Sequence, residues 1–217
     1  LTHLTFGDGF NCPLDNSLNN CTSLTHLTFG DGFNCTLYNS LDNCKSLTHL
    51  TFGKCFSQRI SNFLDGLISL TNVNFGDYFN QSITNLLYNC TFLVHLGLGY
   101  CFDQQDGLPS NVRSLSLDCD NVFYIRHLPD TIEELELGYC FDLELNDCPS
   151  LIKKITFDVD SKYDKELNCL PNGLLILQLP ASYDKQIKNI PSALTKLICS
   201  ANYKFIKDFL DVNIETY

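Results

Sequence analysis

The chain has 217 residues, of which 44% are hydrophobic and 18% are charged, and its formal net charge at pH 7 is −11. The excess of acidic residues disfavours a nucleic-acid partner, because binding to phosphates relies on clustered Lys and Arg side chains. No uncharged apolar run approaches the roughly 18–20 residues that a membrane-spanning helix needs, so we expect no membrane partner either.

The sequence is a tandem array. Residues 1–12 read LTHLTFGDGFNC, and residues 24–35 repeat the same letters after a period of 23. Later units are more divergent, with spacings of 19 to 23 residues. The unit starts are Leu1, Leu24, Leu47, Leu70, Leu93, Val112, Ile132, Ile152, Leu174 and Leu194. A period near the lower end of the leucine-rich-repeat range, about 20–29 residues, predicts a solenoid in which each coil packs against its neighbours.

Each unit alternates polar and apolar residues near its start. Counted from the first residue of a unit, positions 4 and 6 are apolar, as in Leu4 and Phe6, and positions 3 and 5 are mostly polar. This alternation predicts a short strand with one buried face, so positions 3 and 5 should project from the concave face of a parallel sheet. We therefore predict a leucine-rich-repeat solenoid, conventionally of the α/β class. It would be a curved horseshoe of ten coils, with short parallel strands and irregular or 3₁₀ convex segments.

Three further columns should hold the coils together. Glycine at position 7, as in Gly30 and Gly53, should end each strand, because glycine tolerates turn conformations that other residues avoid. An aromatic residue at position 10, or two residues later, should form a stacked apolar spine. Its members are Phe10, Phe33, Phe56, Phe79, Phe102, Phe123, Phe141, Tyr163, Tyr183 and Tyr203. The Asn or Asp that usually follows should bond to nearby backbone amides.

The twelve cysteines could form a disulfide framework, yet their repeat positions indicate packing. Cys21 and Cys44 share position 21, and other units have Leu or Pro near this place. These positions therefore share a requirement for apolar side-chain volume, and a free cysteine packs as a small buried hydrophobic residue. We expect reduced, buried cysteines in a cytoplasmic protein.

The motifs FGDGFN in the first two units and FGDYFNQSI at residues 75–83 resemble the FNIP, or FGxxFN, leucine-rich repeats of giant DNA viruses and social amoebae. Leu-Pro pairs at residues 108–109, 128–129 and 170–171 add to the resemblance, which covers nearly the whole chain. For a viral member, the location would be the host cytoplasm. Members often carry an F-box ahead of the repeats, and the resemblance would then imply a substrate receptor of a ubiquitin ligase.

Four of the five histidines lie at position 3, in a column that Asn72 interrupts. These histidines are His3, His26, His49 and His95. Side chains on neighbouring strands should lie about 4.8 Å apart, at which distance imidazoles could share Zn²⁺. The flanking threonines offer no carboxylate or thiolate ligand, so we predict no metal and no other cofactor. We interpret the column as a binding surface, together with the neighbouring column Thr5, Thr28, Thr51 and Asn74.

The sequence favours binding over catalysis. The motifs HExxH, GxSxG and GxxxxGK are absent, and a solenoid offers an extended concave surface rather than an enclosed pocket. We predict a non-enzymatic protein–protein interaction module with an unidentified partner, which could be the target-recognition part of a larger protein. The alternatives are a self-assembling structural repeat protein that closes through its N-terminal end, and the ubiquitin-ligase receptor described above. In later coils, Glu133 should pair with Lys153 and Glu134 with Lys154 across the sheet.

The two ends of the solenoid should differ. Residues 1–203 are predicted to form the solenoid and residues 204–217 a cap that belongs to the same domain. Apolar residues at helical spacing predict a short amphipathic helix within residues 203–211, laid over the last coil. At the other end the first coil should present an open apolar face, which upstream residues or a second copy of the chain would cover. The lack of methionine also suggests that the chain is a fragment.

Overall fold

The computed structural model describes residues 1–59, 64–84, 86–105, 107–119 and 125–217. It confirms the predicted leucine-rich-repeat solenoid, in which successive coils each contribute one short parallel strand. The chain divides into two compact units, Leu1–Val112 and Arg113–Tyr217. Phe123, which was predicted to belong to the aromatic spine, lies outside the described residues.

The first unit contains five parallel strands that follow one another in chain order. They are β1 (His3–Thr5), β2 (His26–Thr28), β3 (His49–Thr51), β4 (Asn72–Asn74) and β5 (His95–Leu98). His3 pairs with His26, and the register continues through His49 and Asn72 to His95. Equivalent repeat positions therefore lie side by side, as the period predicted.

The second unit continues the same construction. Its elements are β6 (Ser114–Leu117), β7 (Glu134–Leu137), β8 (Lys154–Phe157), β9 (Ile176–Gln178), β10 (Lys196–Cys199), the 3₁₀ helix η1 (Ile206–Asp208) and β11 (Asn213–Thr216). The strands are parallel and pair in this order. The predicted charge pairs are confirmed, because Lys153 Nζ lies 2.6 Å from Glu133 Oε2 and Lys154 Nζ lies 3.4 Å from Glu134 Oε2.

The aromatic spine is confirmed by ring stacking from coil to coil. The ring centroid of Phe33 lies 6.0 Å from that of Phe56, which lies 6.2 Å from that of Phe79. Within the second coil, Phe29 stacks on Phe33 at 4.1 Å. Within the second unit, the ring centroid of the buried Tyr163 lies 6.0 Å from that of Phe141. The rings fill the space between neighbouring coils, which explains why an aromatic residue recurs once per repeat.

The glycine column has a different physical cause from the one predicted. None of the described glycines has a positive φ, so turn conformation does not require them. Instead the coils approach closely. A Cβ atom added to Gly30 would lie 2.5 Å from Asp8 N, and one added to Gly99 would lie 2.5 Å from Gly76 O. Any side chain at these positions would push against the backbone of the preceding coil.

The asparagine column bonds each coil to the next, as predicted. Asn11 Oδ1 accepts a hydrogen bond from the backbone N–H of Asn34 at 2.8 Å, and Asn34 Oδ1 accepts one from Ser57 N–H at 2.9 Å. Asn80 Oδ1 accepts from Asp103 N–H at 3.0 Å in the same way. These side chains satisfy backbone donors that the short strands leave unpaired.

The cysteines fit the prediction only in part. None of the twelve, all of which lie within the described residues, forms a disulfide. Cys44 and Cys90 are buried, and burial raises the pKa of each thiol to about 11. The prediction of burial was wrong for Cys12 and Cys169, which are exposed. Their loops lie at the surface of the solenoid, where a small apolar side chain is not covered by the next coil.

The C-terminal segment differs from the predicted amphipathic helix. Only residues 206–208 are helical, as a single 3₁₀ turn. Phe209 is buried, but Leu210 is 79% exposed. The chain then forms β11, which pairs with β10 and adds a further strand to the sheet. Backbone pairing with an open sheet edge therefore prevails over helical periodicity, since a short isolated helix is only marginally stable.

Candidate functional site

The structure brings the predicted binding residues onto one face of the strands β1–β5. We call this surface the ladder face; it consists of His3, Thr5, His26, Thr28, His49, Thr51, Asn72, Asn74 and His95. The position-3 and position-5 columns are in register along the sheet, with Thr5, Thr28, Thr51 and Asn74 aligned beside the histidine column. His3 and Thr5 are exposed and the others are half-buried.

Three of the histidines form a continuous stack, which we call the histidine ladder: His3, His26 and His49. The ring centroids of His3 and His26 lie 4.2 Å apart with an interplanar angle of 12°. Those of His26 and His49 are also 4.2 Å apart, at 10°. The rings are held face to face because the strand register repeats the same residue at the spacing of parallel strands.

Threonines at position 2, which the sequence analysis did not include in the site, orient the rings. Thr25 Oγ1 lies 2.9 Å from Nδ1 of His26, and Thr48 Oγ1 lies 2.9 Å from Nδ1 of His49. Each of these hydroxyls also donates to a backbone oxygen of the preceding coil, Thr25 to Thr2 O at 2.9 Å and Thr48 to Thr25 O at 3.0 Å. The sequence signal was the Thr-His pair at positions 2 and 3 of the first three units.

The backbone oxygens beside these hydroxyls also accept backbone N–H groups, since Thr2 O accepts from Thr25 N–H at 2.8 Å and from His26 N–H at 3.1 Å. The hydroxyl, the ring and the backbone of the preceding coil therefore form one local hydrogen-bond network that holds each ring in place.

The fourth and fifth coils of the ladder face differ from the first three. In β4 the hydroxyl of Thr71 donates to Oδ1 of Asn72 at 2.8 Å, so asparagine takes the place of the ring as the partner of the threonine. In the next coil Val94 replaces the threonine, and Nε2 of His95 lies 3.0 Å from Asn74 Oδ1. An amide oxygen only accepts hydrogen bonds, so Nε2 of His95 is a donor.

The stacked geometry is poorly suited to a shared metal ion. The lone pair of Nε2 lies in the plane of its ring, and the rings of the histidine ladder are nearly parallel. Parallel lone pairs do not converge on one ion at the ~2.0–2.1 Å of a Zn–N bond. Within the described residues, no group of three or more His, Cys, Asp or Glu side chains is arranged to hold a metal ion.

The surroundings of His49 disfavour its protonation. The pKa of His49 is lowered from 6.5, first by burial and then by the charges of His26, His95 and His3 in that order. Burial penalises the charged form of an imidazole, and neighbouring imidazolium ions penalise it further. The ring of His49 is therefore neutral at physiological pH.

The corresponding face of the second unit has a different chemistry that the sequence analysis did not assign to a site. Ser116 Oγ donates to Glu136 Oε2 at 2.7 Å, and Lys196 Nζ lies 2.6 Å from Glu215 Oε2. In each case the two side chains belong to neighbouring strands. Exposed ion pairs contribute little to the free energy of folding. The effect of these contacts is therefore to balance opposite charges along the sheet.

Comparison with known proteins supports the architecture. No protein-family model matches the chain, and no curated protein matches it. Among solved structures it is similar to CroV588, a circular leucine-rich-repeat protein from a giant virus, with 26% sequence identity and a TM-score of 0.56. The match covers 100% of this chain and 40% of that chain, so this chain spans well under half the length of CroV588.

A second solved structure is the internalin InlF from Listeria monocytogenes. It is 13% identical with a TM-score of 0.49, and the match covers 99% of this chain and 86% of that chain. In the part of the chain that the structure describes, no helix is long and apolar enough to span a membrane.

Proposed function

We propose that the chain is a protein–protein interaction module and that the ladder face is its binding surface. The observation that carries the proposal is that this face presents ordered polar groups that the fold does not use. Within the described residues, the hydroxyls of Thr5, Thr28 and Thr51 form no hydrogen bond in the protein. The rings beside them are fixed by stacking, so a partner would meet a preorganised surface.

The extended geometry of the sheet also favours a macromolecular partner over a small substrate. The ladder face runs across five strands, and solenoids generally use such surfaces for binding. Similarity to CroV588 along the whole chain supports the repeat architecture on which this proposal relies.

Photo-crosslinking tests the assignment of the face. A photoreactive amino acid would replace Thr28 on the ladder face, and a matched variant would carry it at Tyr38, which is 68% exposed outside the strands. We expect the variant at position 28 to form a discrete crosslinked species with a partner protein, and excess unmodified chain should compete for that partner and abolish the crosslink. The variant at position 38 should form no such species. Crosslinking from position 38 alone would contradict the proposal.

A second candidate function is self-assembly, which the similarity to a circular protein favours. A chain that spans 40% of a closed ring could complete a ring with further copies. Phe6 and Phe10 in the first coil are only half-buried, whereas Phe29 and Phe33 are buried. Light scattering coupled to size-exclusion chromatography tests this candidate: a concentration-independent monomer would contradict it. The target-recognition role in a ubiquitin ligase, which the FNIP resemblance implies, would in addition require an F-box on the same polypeptide.

A further inference from the structure

We propose that Cys12 and Cys35 form an oxidisable thiol pair, which a peroxide converts into a disulfide that ties the first coil to the second. Both residues lie outside the strands that form the ladder face, so the proposed function neither requires nor excludes the pair. Three features of the pair point to this chemistry: the repeat position that the two residues share, the direction of the Cys35 side chain, and the access of solvent to both thiols.

The two cysteines occupy position 12 in neighbouring coils. The coils are held in register immediately before this position, because the ring centroids of Phe10 and Phe33 lie 5.9 Å apart and Asn34 N–H donates to Asn11 Oδ1 at 2.8 Å. Equivalent residues on paired parallel strands lie about 4.8 Å apart, and a disulfide requires Cα atoms about 4.4–6.8 Å apart. The spacing of the coils therefore suits a disulfide.

The thiol of Cys35 is directed towards the first coil. Its Sγ atom donates to Asn11 Oδ1 at 3.2 Å, and Asn11 directly precedes Cys12 in the chain. Gln58 and Gln104 occupy position 12 of later coils, and their Nε2 atoms lie 3.1 and 2.7 Å from the asparagine Oδ1 of the preceding coil. A side chain at this position therefore points to the preceding coil. Among the ten coils, only the first two carry cysteine here.

Solvent reaches this pair but not both members of the other cysteine pair in the same two coils. Cys12 is exposed, and Cys35 is partly exposed although coils pack on both sides of it. At position 21, by contrast, Cys44 is buried and donates to Leu18 O at 3.5 Å, and burial raises the pKa of its thiol to about 11. Because the thiolate is the reactive form, Cys21 and Cys44 should be linked far more slowly.

The oxidation takes two steps, with hydrogen peroxide as the oxidant. The thiolate of Cys12 attacks a peroxide oxygen, so that an S–O bond forms, the O–O bond breaks and the departing hydroxide takes up a proton to become water. The thiolate of Cys35 then attacks the sulfur of this sulfenic acid, so that the S–S bond forms, the S–O bond breaks and a second water leaves. The two thiols thereby lose two protons and two electrons, which reduce the peroxide to water.

The disulfide would lock the first two coils together. Thr25 N–H bonds to Thr2 O at 2.8 Å and Gly32 N–H bonds to Asp8 O at 2.9 Å, so these amides exchange with solvent mainly when the coils separate. A covalent link between the coils restricts that separation. We expect hydrogen exchange at both amides to be about tenfold slower, or slower still, in the oxidised chain. Exchange at Glu134, in the second unit, should not change.

The test treats the reduced chain with hydrogen peroxide, blocks the remaining thiols with iodoacetamide and maps crosslinked peptides by mass spectrometry. Cleavage before aspartates places the four cysteines of the first two coils on different peptides, since Asp15, Asp31 and Asp42 lie between them. We expect an intramolecular link between the peptides that carry Cys12 and Cys35, in a chain that has lost two hydrogen atoms.

Two variants make the result specific. Cys35→Ser should abolish the link, and the serine hydroxyl can still donate to Asn11 Oδ1, so the coil should be retained. Cys21→Ser, the matched control in the first coil, should leave the link unchanged. A link between Cys21 and Cys44, links only between separate chains, oxidation of Cys12 to a sulfinic acid without any link, or no reaction would each overturn the proposal. Equal exchange of the two amides before and after linking would contradict the lock.

Discussion

Replacement of Gly99 by alanine should destabilise the solenoid by forcing two coils apart. The added Cβ would lie 2.5 Å from Gly76 O, about 0.9 Å closer than the 3.4 Å at which ordinary van der Waals contact begins. A shift of that size would also strain the bond from Cys101 N–H to Asp77 O, which is 2.7 Å long. Overpacking of this kind costs about 1–3 kcal/mol, and the loss of chain entropy in the unfolded state offsets about 0.4–1 kcal/mol.

Gly107 provides the matched control in the same coil, because a Cβ added there would meet no atom within 4 Å. Gly107→Ala should be neutral or stabilising by up to about 1 kcal/mol. Thermal unfolding followed by circular dichroism should show a lower midpoint for Gly99→Ala, by about 2–4 °C for each kcal/mol lost. If the two substitutions change the midpoint equally, close approach between coils is not the reason for the glycine column.

Three further predictions concern the core, the thiols and the pH dependence. Phe33→Ala should lower the free energy of unfolding by about 3–5 kcal/mol, because Phe33 is fully buried in the aromatic spine. Cys35→Ser should lower it far less. Equal losses of stability in urea titrations would contradict the role of the aromatic residues as the spine of the core. Ellman's reagent should modify the exposed Cys169 promptly and the buried Cys44 only after unfolding; prompt reaction of Cys44 would contradict its burial. Because the pKa of His49 is lowered from 6.5, the unfolded chain binds a proton at higher pH, so the free energy of unfolding should fall as the pH drops through 6.5 towards the lowered value. His49→Asn should flatten this dependence, and an unchanged slope would exclude His49 as its source.

The repeat period was sufficient to predict the parts of the structure that depend on register. Once the strands pair in sequence order with a shift of one repeat, His26 must lie between His3 and His49, and Phe33 must lie between the aromatic residues of its neighbours. The ladder face and the spine could therefore be predicted from spacing alone. Both follow from the translation of one coil onto the next.

Features that depend on distances within a coil could not be predicted in the same way. The close approach at Gly30 and the bond from Thr25 to the ring of His26 depend on side-chain and backbone positions that the period leaves open. At the C-terminus, residues 205–210 have apolar side chains at helical spacing, but residues 213–216 pair with β10. Local periodicity did not reveal that competition, because the gain from pairing depends on the available sheet edge.

The most direct test of the histidine ladder is an NMR titration of the His49 ring protons in the unmodified protein, His26→Asn and His95→Asn. The account predicts a pKa for His49 below 6.5, because the ring is partly buried and stacked on His26. His26→Asn should raise that pKa, and His95→Asn should raise it less, since His26 exerts the larger effect of the two charges. A His49 pKa at its ordinary value that neither substitution changes would contradict the stacked arrangement of the histidine ladder.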